Sequence, residues 1–283
     1  IHENNLLAIR DPYGFRPLYM GSKDGATYFA SETCALDMLK VNEYEPVNPG
    51  EIILCSEKGI NRTQFTKPQR KAHCVFELIY FARPDSFVFG ESVQSTRKLM
   101  GKALAEAEEY EADVVVPIPD SGTIAALGYA EHSGLPYEMG LTRNHYAGRS
   151  FILPTTSQRE LIVRMKLHPV RSAIRNKRVI LLDDSLVRGT TSKILVKLLK
   201  EAGAKEVHLR LSSPEITCPC FYGIDIPTRE ELISNRKSPD EIAAYIGADS
   251  VRFLPIEKLK DCVQEPQNYC YACFSGEYPD NHR

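Results

Sequence analysis

The sequence predicts an α/β protein in which a mostly parallel sheet, with helices on both faces, follows a smaller β-rich segment. Three observations predict it. From Cys74 onward, continuous apolar runs alternate with helical patterns, as βαβ units require. Before that point the apolar runs are short and punctuated by Gly14, Gly21, Gly25 and Gly50. Two of the later runs end in turns rich in acids, hydroxyls and glycine, where parallel sheets bind their ligands.

Taken in order, the strand candidates of the first segment are 6–9, 27–30 and 51–54. Ser31 is placed to cap a short helix through Leu39, with Glu32 complementing the helix dipole in its first turn. The polar stretch 61–71 reads as a linker, so two domains are expected, 1–70 and 71–283. In the second, a helical pattern over 92–110 precedes a strand at 113–118 and a helix at 121–132. A strand at 177–182 leads through a turn into a helix at 190–201. Gly203 stops that helix, and a strand at 206–211 follows.

The bulk composition excludes several function classes. A net charge of −2 with 25% charged residues provides no basic field for nucleic acid or a membrane surface. No apolar run approaches the roughly 20 residues of a membrane helix. The eight cysteines lack the short, even spacing of a secreted disulfide scaffold, so a reducing, cytoplasmic setting is expected. Residue 1 is isoleucine, and the chain reads as a fragment that starts inside a domain.

The chemistry concentrates at two strand ends. After Leu182 comes Asp183-Asp184-Ser185-Leu186-Val187-Arg188-Gly189-Thr190-Thr191. Two adjacent carboxylates are costly to bury unless they meet a metal or hydroxyl donors, and a ribose offers two neighbouring hydroxyls. The hydroxyl-bearing residues then open a helix, where free N–H groups and the dipole favour a phosphate. Gly189 lets the backbone approach that anion. A bland alternative is an acidic turn with Thr190 as an ordinary N-cap. The other strand end, Pro117-Ile118-Pro119-Asp120-Ser121-Gly122-Thr123, can form an anion nest, although an N-cap at Ser121 explains much of it. Residues 143–178 hold nine Lys or Arg and one acid, Glu160, as a solvated face or an anion-covering lid would.

Cys270-Tyr271-Ala272-Cys273 admits a metal, a redox pair or coincidence. The distant Cys74 and Cys220 could complete a four-thiolate site, but spacing alone leaves metal ligands and structural thiols both open.

The string from 178 to 191 resembles the signature of type I phosphoribosyltransferases. Together with Arg10-Asp11-Pro12-Tyr13-Gly14-Phe15-Arg16-Pro17-Leu18, Ala30-Ser31-Glu32, Tyr80-Phe81-Ala82-Arg83-Pro84-Asp85-Ser86 and Cys273-Phe274-Ser275-Gly276-Glu277-Tyr278-Pro279, it makes nearly the whole chain resemble the glutamine phosphoribosylpyrophosphate amidotransferases. The resemblance implies a type I phosphoribosyltransferase sheet, preceded by the C-terminal part of a β-rich N-terminal-nucleophile glutaminase domain. It implies that pyrophosphate is displaced from phosphoribosyl pyrophosphate (PRPP) by glutamine-derived ammonia, giving 5-phosphoribosylamine. By the same resemblance Asp183 and Asp184 hold the ribose hydroxyls, and Ser185, Val187, Arg188, Gly189, Thr190 and Thr191 surround the 5′-phosphate. Asp120, Ser121 and Gly122 meet the pyrophosphate, Arg149 and Lys166 come from the lid, and Ser121, Asp183 and Asp184 serve Mg²⁺. Cys74, Cys220, Cys270 and Cys273 match the ligands of the [4Fe–4S]-bearing subclass, with Cys218 the alternative beside Cys220. A homotetramer inhibited by purine nucleotides is implied as well.

Two departures stand out. Arg143-Asn144-His145-Tyr146-Ala147-Gly148-Arg149 replaces the usual Lys-Asn-Arg-Tyr-Val-Gly-Arg, so lid contacts can differ. The cysteine nucleophile of the glutaminase half is absent, so the fragment is expected to use ammonia alone. A PRPP-sensing DNA-binding regulator would need a helix-turn-helix or basic face that 1–70 lacks. A salvage phosphoribosyltransferase would need a base-stacking hood that is not evident.

Overall fold

The computed structural model describes residues 5–107, 111–144, 163–226 and 228–280. The chain forms two compact units: Ile1–Thr96 with Val263–Ala272 and Glu277–Arg283, and Arg97–Cys262 with Cys273–Gly276. The first unit thus runs on past residue 70 and takes back part of the C-terminal segment. Among the described residues no helix is long and apolar enough to cross a membrane.

In the first unit two small antiparallel sheets form. One orders Leu6–Ile9, Glu51–Ser56 and Gly59–Gln64; the other orders Ala26–Ala30, Tyr19–Lys23 and Tyr44–Pro46. Their cores are small, Ala8, Val47 and Ile53 in one, Tyr19, Leu36 and Val41 in the other. Residues 61–64, read as linker, belong to an edge strand held by ladder bonds to Glu51–Ser56 although all six of its side chains are exposed. Ser31 does not cap the short helix: it spans Thr33–Met38 with Glu32 at the N-cap. The Glu32 carboxylate instead accepts from Arg83 N (2.6 Å) and Ser86 Oγ (2.9 Å). The segment beginning Arg10-Asp11 binds itself. Buried Arg10 donates to the carbonyls of Val47 (2.6 Å), Gly14 and Arg16 (both 3.1 Å), while Asp11 accepts from Tyr13 N and Phe15 N. Burial lowers the Arg10 pKa, and these carbonyls are what its guanidinium has in place of water.

The second unit is built on four parallel strands in sequential order: β1 (Val114–Pro117), β2 (Arg178–Asp183), β3 (Glu206–Leu211) and β4 (Ser250–Phe253). Its helices include α1 (Val93–Glu106, begun in the first unit), α2 (Thr123–Ser133), α3 (Thr190–Glu201) and α4 (Pro239–Ile246). Val114, Val115, Val116, Val179, Ile180, Leu181 and Leu182 are all fully buried, so both faces of β1 and β2 are covered, as an unbroken apolar run implies. β3 departs from that rule. Val207, Leu209 and Leu211 enter the apolar core, but alternate residues His208 and Arg210 are also fully buried. His208 Nδ1 lies 3.0 Å from Ser250 Oγ and Nε2 3.1 Å from Glu206 Oε2, and Arg210 Nη1 donates to Ser250 Oγ at 2.9 Å. Those contacts are the compensation that buried polar groups require.

Between β1 and β2 a short hairpin pairs Leu141–Arg143 with Leu167–Pro169. Gly140 permits its close approach to the sheet, since a Cβ there would lie 2.7 Å from the Val116 side chain. This ladder, extended by Asn144 N to Lys166 O at 2.7 Å, closes the base of the basic segment.

Candidate functional site

Both turns singled out in the sequence lie at the carboxyl ends of adjacent strands. Pro117 stands opposite Leu182 in the β1–β2 register, and Ile118 N carries the ladder one residue further, donating to Leu182 O at 2.8 Å. The first turn is therefore fixed to the second from its start. Its Pro119–Asp120 peptide is cis, a feature no residue pattern announced. Gly122 packs so closely on β2 that a Cβ would lie 2.1 Å from Leu182 O. Gly122, not Ser121, is the N-cap of α2. Ser121 Oγ donates instead across the strands to Asp183 Oδ1, at 2.8 Å.

Asp183 and Asp184 extend the site. Asp184 N donates to Asp183 Oδ1 (2.9 Å), Ser185 Oγ donates to Asp184 Oδ2 (2.5 Å), and Ser212 N donates to Asp183 O (3.0 Å). Burial, with the Asp184 carboxylate next to it, holds the Asp183 pKa well above the usual carboxylate range; Ser121 and Asp184 N pull the other way. The pair is thus deficient in cations or donors, which a metal or a ligand's hydroxyls would supply. For Mg²⁺ the donors fit: hard oxygens, two carboxylates and a hydroxyl, leaving room for the water and phosphate oxygens that ion retains.

Val187 O accepts from Ile233 N (3.0 Å), and Arg188 pairs with Glu231 at 2.8 Å, fixing the turn before α3. Gly189, at φ +73°, is the N-cap, so Thr190 is the first helical residue and no side chain caps the helix. Thr190 and Thr191 are exposed there, and the first-turn N–H groups are the donors an anion would meet. Lys166 falls in the described hairpin base, whereas Arg149 and His145 lie outside the described residues. Arg143, which opens the basic segment read as a lid, pairs its guanidinium with Asp120 of the anion turn, a partner the sequence did not announce.

The four candidate cluster ligands divide between the units. In the first, Cys74 and Cys270 are register partners in a two-residue parallel ladder. Burial pushes the Cys74 thiol up to about 12, so an ionised sulfur there needs a cation beside it. In the second, Cys220 Sγ accepts from Tyr222 N (3.3 Å), while buried Cys218 accepts from Arg229 Nη2 (3.2 Å). All eight cysteines lack disulfides. Among the described residues no three His, Cys, Asp or Glu side chains are gathered as a site for one metal ion requires. The soft thiolate donors suit iron–sulfur chemistry in kind.

Comparison with known proteins bears on the whole chain. Residues 90–212 match the family model described as a phosphoribosyl transferase domain. A chloroplastic amidophosphoribosyltransferase of Glycine max is 51% identical over 281 residues, covering 99% of this chain and 49% of that protein. The Bacillus subtilis amidophosphoribosyltransferase is 46% identical over 282 residues, 98% of this chain and 59% of its own length. Over nearly its whole length the chain is thus similar to amidophosphoribosyltransferases. The solved structure of the B. subtilis glutamine PRPP amidotransferase, complexed with ADP and GMP, superposes with a TM-score of 0.89 at 46% identity, over 99% of this chain and 62% of that one. A structure described as the allosteric regulatory enzyme of purine biosynthesis gives the same TM-score at 47% identity, over 98% and 61%. The type I phosphoribosyltransferase fold is therefore shared. This chain spans about half to three-fifths of the length of these relatives.

Proposed function

We propose that the protein to which this chain belongs is an amidophosphoribosyltransferase, forming 5-phosphoribosylamine from PRPP and glutamine-derived ammonia at the first committed step of purine synthesis. The observation that carries this is the Ser121–Asp183 hydrogen bond, which ties the anion turn to the paired acids across adjacent strands. In this reading Asp183 and Asp184 bind the ribose hydroxyls, and Ser185–Thr191 hold the 5′-phosphate on the uncapped end of α3. Ser121 and Gly122 receive the pyrophosphate, with Arg149 and Lys166 closing on it. The leaving group is held by fixed N–H donors while charge grows on it, the kind of preorganised stabilisation that lowers such barriers most. Mg²⁺, held by Ser121, Asp183 and Asp184, would neutralise part of that charge.

Residues 1–70 form, in this reading, part of the glutaminase domain, and this chain carries the ammonia-using half. Cys74, Cys220, Cys270 and Cys273 would hold a [4Fe–4S] cluster whose role is to tie the C-terminal segment in place. The protein works as a cytoplasmic homotetramer restrained by purine nucleotides.

The test is pyrophosphate release from PRPP and Mg²⁺, with ammonium or glutamine as nitrogen source, in this chain and in Asp183→Asn/Asp184→Asn. Ammonium-dependent release, abolished by the double change, is expected. Release that survives the double change would sink the reading.

A further inference from the structure

A turn meant for a polyanion carries a carboxylate of its own. Asp120 sits between the cis peptide and Ser121, its backbone carbonyl accepting from Thr123 N at 3.3 Å, with its side chain largely exposed. A fixed negative charge there opposes any phosphate entering the turn. Its partner is Arg143. That guanidinium comes from a different element, and its backbone is well fixed: Arg143 stands opposite Leu167 in the hairpin ladder, and Val170 N donates to Gly140 O at 2.9 Å. The hairpin in turn rests on the β1 side chain of Val116 through Gly140. As a stabilising contact between two exposed groups, such a pair contributes little. Its placement at the mouth of the turn has another consequence.

We propose that Arg143 is an electrostatic positioning residue that neutralises Asp120, so that the turn Pro119–Gly122 can accept a diphosphate. The inference rests on the functional reading above and adds to it a residue that acts through Asp120 rather than on the ligand. Because the effect needs a point charge and not a planar fork, lysine should replace arginine here, unlike at a bidentate phosphate contact.

The experiment is calorimetric titration of inorganic pyrophosphate with Mg²⁺ into the wild-type chain and into Arg143→Gln, Arg143→Lys, Asp120→Asn and the Asp120→Asn/Arg143→Gln double variant. Thermal melts run alongside, and since both side chains are exposed, every variant should fold. Arg143→Gln should weaken binding roughly three- to tenfold, the effect of uncovering one like charge beside the ligand in a solvent-screened setting. Arg143→Lys should bind as wild type does. The double variant should return to within about twofold of wild type, because the charge that needed neutralising is gone. A double variant as weak as Arg143→Gln would show that Arg143 touches the ligand itself and would overturn the proposal. So would unchanged binding by Arg143→Gln. Failure of the wild-type chain to bind pyrophosphate would instead overturn the underlying functional reading.

Discussion

Gly122→Ala isolates the link between backbone packing and ligand binding. The added methyl would lie 2.1 Å from Leu182 O and 2.9 Å from its carbon, both backbone atoms at the end of a buried strand. Neither can turn aside as a side-chain tip would. The turn must therefore withdraw by about 1 Å to reach an ordinary nonbonded separation. That withdrawal stretches two contacts now at 2.8 Å, Ile118 N to Leu182 O and Ser121 Oγ to Asp183 Oδ1, past hydrogen-bonding distance. Overpacking costs about 1–3 kcal/mol, and each lost bond about 1 kcal/mol. A total of about 3–5 kcal/mol should lower the melting temperature of a unit this size by roughly 6–20 °C. Misplacement of the anion donors by about 1 Å should cost roughly a hundredfold in ammonium-dependent turnover. Differential scanning calorimetry and a pyrophosphate-release assay measure the two effects. An alanine variant that melts within a degree of wild type, with undiminished turnover, would refute the claim that this contact sets the site.

Three more predictions follow from named contacts. Asp183→Asn should raise thermal stability at neutral pH while removing activity: an acid whose folded pKa is raised destabilises the fold progressively as pH climbs above its unfolded value, so the gain should vanish in acid. A wild-type melting curve no more pH-sensitive than that of Asp183→Asn would contradict this. Asp113, which accepts from Arg178 N (2.7 Å) and Nη2 (2.9 Å), is held down to about 2 by that arginine, so its contribution is present above about pH 4 and lost as pH falls toward 2. Asp113→Asn should accordingly lower the melting temperature at pH 7 and have a much smaller effect near pH 2, as a pH series of melts would reveal. Cys270→Ser should reduce the iron and acid-labile sulfide of anaerobically purified protein several-fold, whereas Cys218→Ser should leave them unchanged; the reverse pattern would exchange the two cysteines' roles.

Much of the second unit was legible because its strands are buried on both faces. Runs such as Val179-Ile180-Leu181-Leu182 admit little else, and the helix from about 190 to 201 follows a turn whose glycine and paired threonines open it. β4 escaped notice because Ser250-Val251-Arg252-Phe253 is short and half polar, its place decided by pairing with β3. Gly59–Gln64 escaped for a related reason: an edge strand with no buried side chain owes its form to ladder bonds, which leave no apolar pattern to read. At the site, residue types were legible and their partners were not. Ser121 has the chemistry of a cap and was weighed as one, but its hydroxyl is spent on Asp183, sixty-two positions away in sequence. His208 and Arg210 read only as part of a strand, and the contacts with Ser250 and Glu206 that accompany their burial leave no mark in the residue pattern.

The same backbone atom explains why the candidate site needs the sheet's register to be right. Leu182 O accepts the bond that launches the first turn, and it is also the surface against which Gly122 lies. Asp183, the next residue, points its carboxylate at Ser121 while its own carbonyl accepts from Ser212 at the end of β3. Three strand ends are thus joined within two residues, with no intervening loop to absorb error. A slip of β2 by one residue would exchange Val179 and Leu181 for Ile180 and Leu182 on each face, apolar for apolar, but would carry Asp183 away from Ser121. Apolar burial on both faces therefore leaves this register weakly specified, and the bond between Ser121 and Asp183 is a contact that only the observed register allows.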